Sequence, residues 1–176
     1  MSYHQKFVTT FAAKKPLLFL TAAFLTLTSM AADRANFSGE WKLNESKSDL
    51  GQFGDRIASK TMKIDAQADF ITVDVSSSSP DGEQVKRQEK LTFDGKENET
   101  TLFGSTKKKS TAKWSDDGQT MTVSSIIYLD RNGEKTEIKV TEVWKLINDG
   151  KSISLQSNSN STFGENAMKL TYDKAS

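Results

Sequence analysis

"KTEIKVTEVWK", residues 135–145, sets Ile138, Val140 and Trp144 on one face, and Lys135, Glu137, Lys139, Thr141 and Lys145 on the other. A period of two is the signature of a strand with one buried and one wet face. The same alternation recurs outward in both directions. Phe37, Gly39, Trp41 and Leu43 share a phase, as do Met62 with Ile64 and Ile71 with Val73 and Val75. Met121, Val123, Ile127 and Leu129 continue it, then Ile153 with Leu155, then Met168, Leu170 and Tyr172.

Between these runs stand "SPDGEQ" (79–84), "FDGKEN" (93–98), "SDDGQT" (115–120), "DRNGEK" (130–135) and "NDGKSI" (148–153). Asp-Gly and Asn-Gly accept the positive φ angles of tight hairpin turns. The chain holds two prolines, which suits uninterrupted strands. Residues 45–58 read as a loop or one short helical turn. The pattern predicts an all-β chain: a single antiparallel up-and-down β-barrel of about eight to ten strands, because closure removes exposed edges. The polar second face of most strands argues against an outer-membrane barrel, which needs outward apolar bands.

The first residues read as a targeting segment. Lys14 and Lys15 precede an apolar run from Leu17 to Leu27, and Ser29, Ala31 and Ala32 close it. This is the layout of a secretory signal peptide, 1–32, with cleavage near Ala31 or Ala32. Its apolar core of about a dozen residues is short of the roughly 20 that span a bilayer. No integral membrane insertion is expected after cleavage, and the expected location is periplasmic or secreted. Residues 33–176 then form one barrel domain, long enough for a real core.

The leader takes three of the 24 basic residues and no acidic ones, leaving 21 against 23. That balance suggests no nucleic-acid partner. The chain has no cysteine, and its single histidine, His4, lies in the leader. The domain therefore lacks the nucleophile–histidine arrangements of hydrolases and the usual transition-metal ligands. No catalytic residue, metal or cofactor is expected, and the chain reads as a non-enzyme.

"FSGEWKL" (37–43) resembles the opening strand of the calycin superfamily, the lipocalins and fatty-acid-binding proteins, where Gly-x-Trp begins the first strand and the Trp plugs one end of the barrel. Gly39 and Trp41 match that pattern, which implies a barrel-closing role for both. The segments 37–51, 112–123, 141–152 and 169–174 are similar to exported bacterial lipocalin-like proteins. Lys113-Trp114 and "LTYDK" (170–174) are similar to the last strands of fatty-acid-binding proteins. There an Arg and a Tyr grip the ligand carboxylate; Tyr172 matches the Tyr, but Leu170 stands at the Arg position. The helical lid of that family also lacks room between the first two strands.

Charged residues in the apolar phase mark the candidate site. Arg87 and Glu89 share a face with Val85, Leu91 and Phe93, and Glu142 falls between Val140 and Trp144. Buried charges need partners, so Arg87 is expected to pair with Glu89 or Glu142 inside the barrel. Two readings follow. In the first, an apolar or amphipathic, lipid-like ligand occupies the lumen, with Arg87 at its polar end, Glu89 and Glu142 nearby, Tyr172 as a hydrogen-bond donor, and Trp114 and Trp144 among the lining. In the second, those side chains fill the barrel, which acts through its loops as an interaction or inhibitor module with an unknown protein partner. "STKKKSTAK" (105–113) reads as a solvated hairpin tip.

Overall fold

The computed structural model describes residues 33–175 apart from 53, 79–83, 105 and 132. The expected leader and parts of the turns at 79–84 and 130–135 lie outside the described residues. Among the described residues ten strands follow one another: β1 (Gly39–Leu43), β2 (Thr61–Ala66), β3 (Phe70–Ser78), β4 (Gln84–Thr92), β5 (Asn98–Phe103), β6 (Thr106–Trp114), β7 (Thr120–Arg131), β8 (Glu134–Ile147), β9 (Ser152–Ser161) and β10 (Gly164–Lys174). They form a single sheet in the order β4-β3-β2-β1-β10-β9-β8-β7-β6-β5, with every ladder antiparallel. The last strand pairs with the first, Trp41 opposite Lys174 and Leu43 opposite Tyr172. The meander therefore curls into a nearly closed barrel.

Closure is incomplete at one seam. Strands β4 and β5 are joined by a turn but are not ladder partners. At the turn end the side chains of Asn98 and Thr92 bridge the two strands, the amide donating at 3.1 Å. Farther along, the facing edges carry Lys86, Gln88, Lys90 and Glu99. Charged edge strands resist pairing with foreign strands.

The connection from β1 to β2 holds a 3-10 turn (Glu45–Lys47), capped by Asn44, and one helical turn, α1 (Gly54–Ile57). Residues 44–52 run beside β10. Asn44 donates to the Thr171 carbonyl at 2.8 Å, and Asp49 and Lys169 exchange two backbone bonds at 2.8 and 2.9 Å. This stretch covers the part of β10 that the short β1 leaves unpaired. Gly51 is required there: its φ is +58°, and a Cβ would lie 2.3 Å from the Ala167 carbonyl oxygen.

The core is concentrated at one end. Phe37 stacks on Trp114 at 5.6 Å between ring centroids and meets Trp144 edge-on at 6.2 Å. The Arg34 guanidinium lies 5.0 Å from the Phe93 ring and 5.8 Å from that of Trp114. Trp41, Met121, Val123 and Ile153 are fully buried around this floor. Toward the other end the inward phase continues through Ile127, Leu129, Ile138 and Val140, but these residues are only half-buried. Apolar packing is densest at the floor, and toward the other end half-buried apolar walls stand beside the buried Thr106 and Thr136.

Candidate functional site

Above the floor, four strands bring polar groups to one place inside the barrel. Glu89 comes from β4, Lys108 and Ser110 from β6, Ser125 from β7 and Glu142 from β8. Lys108 Nζ lies 2.9 Å from Glu89 Oε2 and 3.9 Å from Glu142 Oε2. The Ser110 hydroxyl donates to Glu89 Oε1 at 2.7 Å and stands 3.0 Å from the Ser125 hydroxyl. The three charged side chains are 11–20% exposed.

Strand parity puts them there. Ala112 pairs with Val123, and Val123 pairs with Glu142. Ser110 and Lys108 stand two and four residues before Ala112, so they face the same side. Lys107 and Lys109 face outward and pair with Glu99 and Glu97 at 3.2 and 2.9 Å. The expectation that 105–113 is a solvated tip therefore fails at Lys108, which is buried among the interior residues.

Burial alone would lower the Lys108 pKa, but Glu142 and Glu89 together outweigh it and hold the ammonium above its usual value. Glu142 moves upward: burial disfavours its charge more than Lys108 favours it, and Glu89 adds repulsion. Two carboxylates share one lysine, and Glu89 has the better geometry.

Glu89 and Glu142 point inward as expected. Arg87 stands in the inward phase and is half-buried. The pairing expected of it is taken by Lys108: among the described residues, no ion pair within 4.0 Å involves Arg87. Its charge still acts on Lys108, Glu142 and Tyr172. Arg87 also borders a cleft of about 610 Å³ at the β4–β5 seam, facing Asn98 and Thr100.

Tyr172 is fully buried, but its hydroxyl donates to the Ser59 carbonyl at 2.9 Å. Its single donor is thus committed to the backbone, which corrects the expectation that it serves a ligand. Burial raises its pKa well above the ordinary phenol value. Trp114 and Trp144 belong to the aromatic floor, and neither indole N–H has a hydrogen-bond partner among the described residues. Trp144 lies close enough to favour the charged form of Glu142, yet outside hydrogen-bond geometry.

Gly39 and Trp41 both stand in β1, and Trp41 is buried. Trp41 donates from Nε1 to the Phe37 carbonyl at 2.9 Å. Lys174 Nζ sits 5.4 Å from the Trp41 ring, over the space that Gly39 leaves free.

The chain is similar in structure to zebrafish ileal bile acid-binding protein complexed with cholic acid, with a TM-score of 0.52 over 79% of this chain and 98% of that one, at 16% identity. The likeness is one of fold, a nearly closed barrel of ten antiparallel strands. No sequence-family model matches the chain, and neither does any curated protein sequence. In this barrel a buried interior cation comes from β6, in Lys108, and position 170 of the last strand is the apolar Leu170.

Proposed function

We propose that this chain is a non-enzymatic binder of a small amphipathic ligand. The apolar part of the ligand lies against Ile127, Ile138 and Val140 in the half of the lumen away from the floor, and the polar end reaches the Glu89–Lys108–Glu142 cluster. One observation carries the reading: a charged cluster stands inside the barrel beneath apolar walls that remain half-exposed. A filled lumen would bury those walls, whereas binding pockets combine apolar linings with a few placed polar groups. The structural likeness to a bile-acid-binding barrel supports the same reading.

The leader-like segment 1–32 supports action outside the cytoplasm, periplasmic or secreted. Among the described residues no helix is long and apolar enough to cross a membrane.

Native mass spectrometry of the purified protein, with titration of the neutral apolar dye N-phenyl-1-naphthylamine, tests the proposal. A co-purified apolar compound, or saturable dye binding that a competing amphiphile reverses, is the expected result. If neither is seen, the carrier reading fails and the loop-borne interaction module replaces it.

A further inference from the structure

We infer that the ligand's polar end is a neutral hydroxyl group and that Glu142 is the residue that receives it. This rests on the carrier reading above. The two interior carboxylates differ in how far they are satisfied. Glu89 has both oxygens engaged, Oε2 by Lys108 and Oε1 by Ser110. Glu142 has the same lysine at 3.9 Å and the Trp144 indole near by, but among the described residues no side chain makes a well-formed hydrogen bond to its carboxylate. Buried carboxylates almost always accept hydrogen bonds, because leaving one bare is costly. The Glu142 side chain is 20% exposed, so a small group can reach it from the lumen.

The charges around it select the kind of group. Arg87 and Lys108 balance Glu89 and Glu142, and all four interact. A ligand carboxylate brings a third anion beside two glutamates. A ligand ammonium brings a third cation beside Lys108 and Arg87. Both are disfavoured where the dielectric is low. A hydroxyl adds no charge and donates one hydrogen bond to the carboxylate. Val140, two residues before Glu142 on the inward face of β8, offers an apolar wall for the body that carries it.

Three probes of equal chain length test this by displacing N-phenyl-1-naphthylamine: decan-1-ol, decanoate and decylamine, at neutral pH. The expected result is that decan-1-ol competes about tenfold better than either charged probe, the scale of one hydrogen bond to a charged group. In Glu142→Leu the ratio of decan-1-ol to decanoate affinity is expected to fall by about that factor. Glu142→Gln keeps an acceptor and is expected to retain most of it. Far-UV circular dichroism of each variant confirms that the barrel is intact. Decanoate binding as well as or better than decan-1-ol overturns the hydroxyl assignment and points to Arg87. A preference for decan-1-ol that survives in Glu142→Leu overturns the role of Glu142. If the unmodified chain binds neither the dye nor any of the three probes, the carrier reading itself fails, and this inference falls with it.

Discussion

Lys108 Nζ stands 2.9 Å from Glu89 Oε2 and so links β6 to β4, two strands that share no ladder. The pair passes behind β5, on the inner side of the sheet, and links the two sides of the seam. Both side chains are at most 16% exposed, so desolvation opposes their attraction, and a buried pair of this kind is costly to break from one side.

Lys108→Met leaves two interior glutamates without their shared cation. We expect a loss of about 3–5 kcal/mol in guanidinium denaturation. The triple replacement Glu89→Leu, Lys108→Met, Glu142→Leu should recover most of that loss, since an apolar substitute removes the desolvation cost along with the pair. A triple variant as unstable as the single one would show instead that the cluster stabilises the barrel on balance.

The pH dependence of stability follows from Glu142. Its folded-state pKa is raised above 4.5 by burial, while in the unfolded chain the group titrates near that ordinary value. Between the two values the folded state holds the proton that the unfolded state has lost. Stability from this group is therefore full below about pH 4.5 and is lost as pH rises through the folded pKa. Glu142→Gln should remove that descending limb in melts recorded from about pH 4.5 upward. Lys108 is also raised, so its contribution is intact below 10.5 and disappears above it. An unchanged slope in Glu142→Gln would contradict the burial of this carboxylate.

Gly39 has φ +140°, which side chains rarely adopt, and a Cβ there would lie 3.1 Å from Lys174 Cε. The lysine is flexible and can move aside, so the backbone sets the cost. Gly39→Ala should destabilise by about 1–3 kcal/mol. Adding Lys174→Ala should not restore it; full rescue would place the cost in the contact rather than the backbone.

Trp41 is buried to 1% exposure and donates to the Phe37 carbonyl. Trp41→Ala opens a large cavity at the floor and should cost about 3–5 kcal/mol. Trp41→Phe keeps most of the packing and strands only that carbonyl, so its loss should be smaller. An unchanged denaturation midpoint in Trp41→Ala would remove Trp41 from the core.

Tyr172→Phe deletes one buried hydroxyl and leaves the Ser59 carbonyl without its donor. The expected loss is about 1–3 kcal/mol, read as a lower melting temperature. Ligand affinity should change little, because the hydroxyl serves the β1–β2 connection and not the lumen. A large loss of affinity at unchanged stability would return Tyr172 to the binding site.

The residues themselves determined the strands. Alternation in 135–145 and at Met121–Val123 fixed which faces are apolar, and the Gly39–Trp41 phase fixed a buried tryptophan near the start. Such local signals survive because the side-chain period of a strand is a property of the backbone. Turns were legible for the same reason: Asn148 and Asp149, in "NDGKSI", both adopt φ +53°. The inward position of Glu89 and Glu142 was legible too, from their neighbours' phase. Lys108 could have been found likewise, since it keeps step with Ser110, Ala112 and Trp114, but three consecutive lysines show no alternation of their own. What only the tertiary structure decided is which of these groups meet. The β4–β5 seam, the bond from Lys108 to Glu89 across it, and the diversion of the Tyr172 hydroxyl to Ser59 join residues 19 and 113 positions apart. Strand periodicity says which way a side chain points, whereas the shear and curl of the closing sheet set which strands face one another across the lumen.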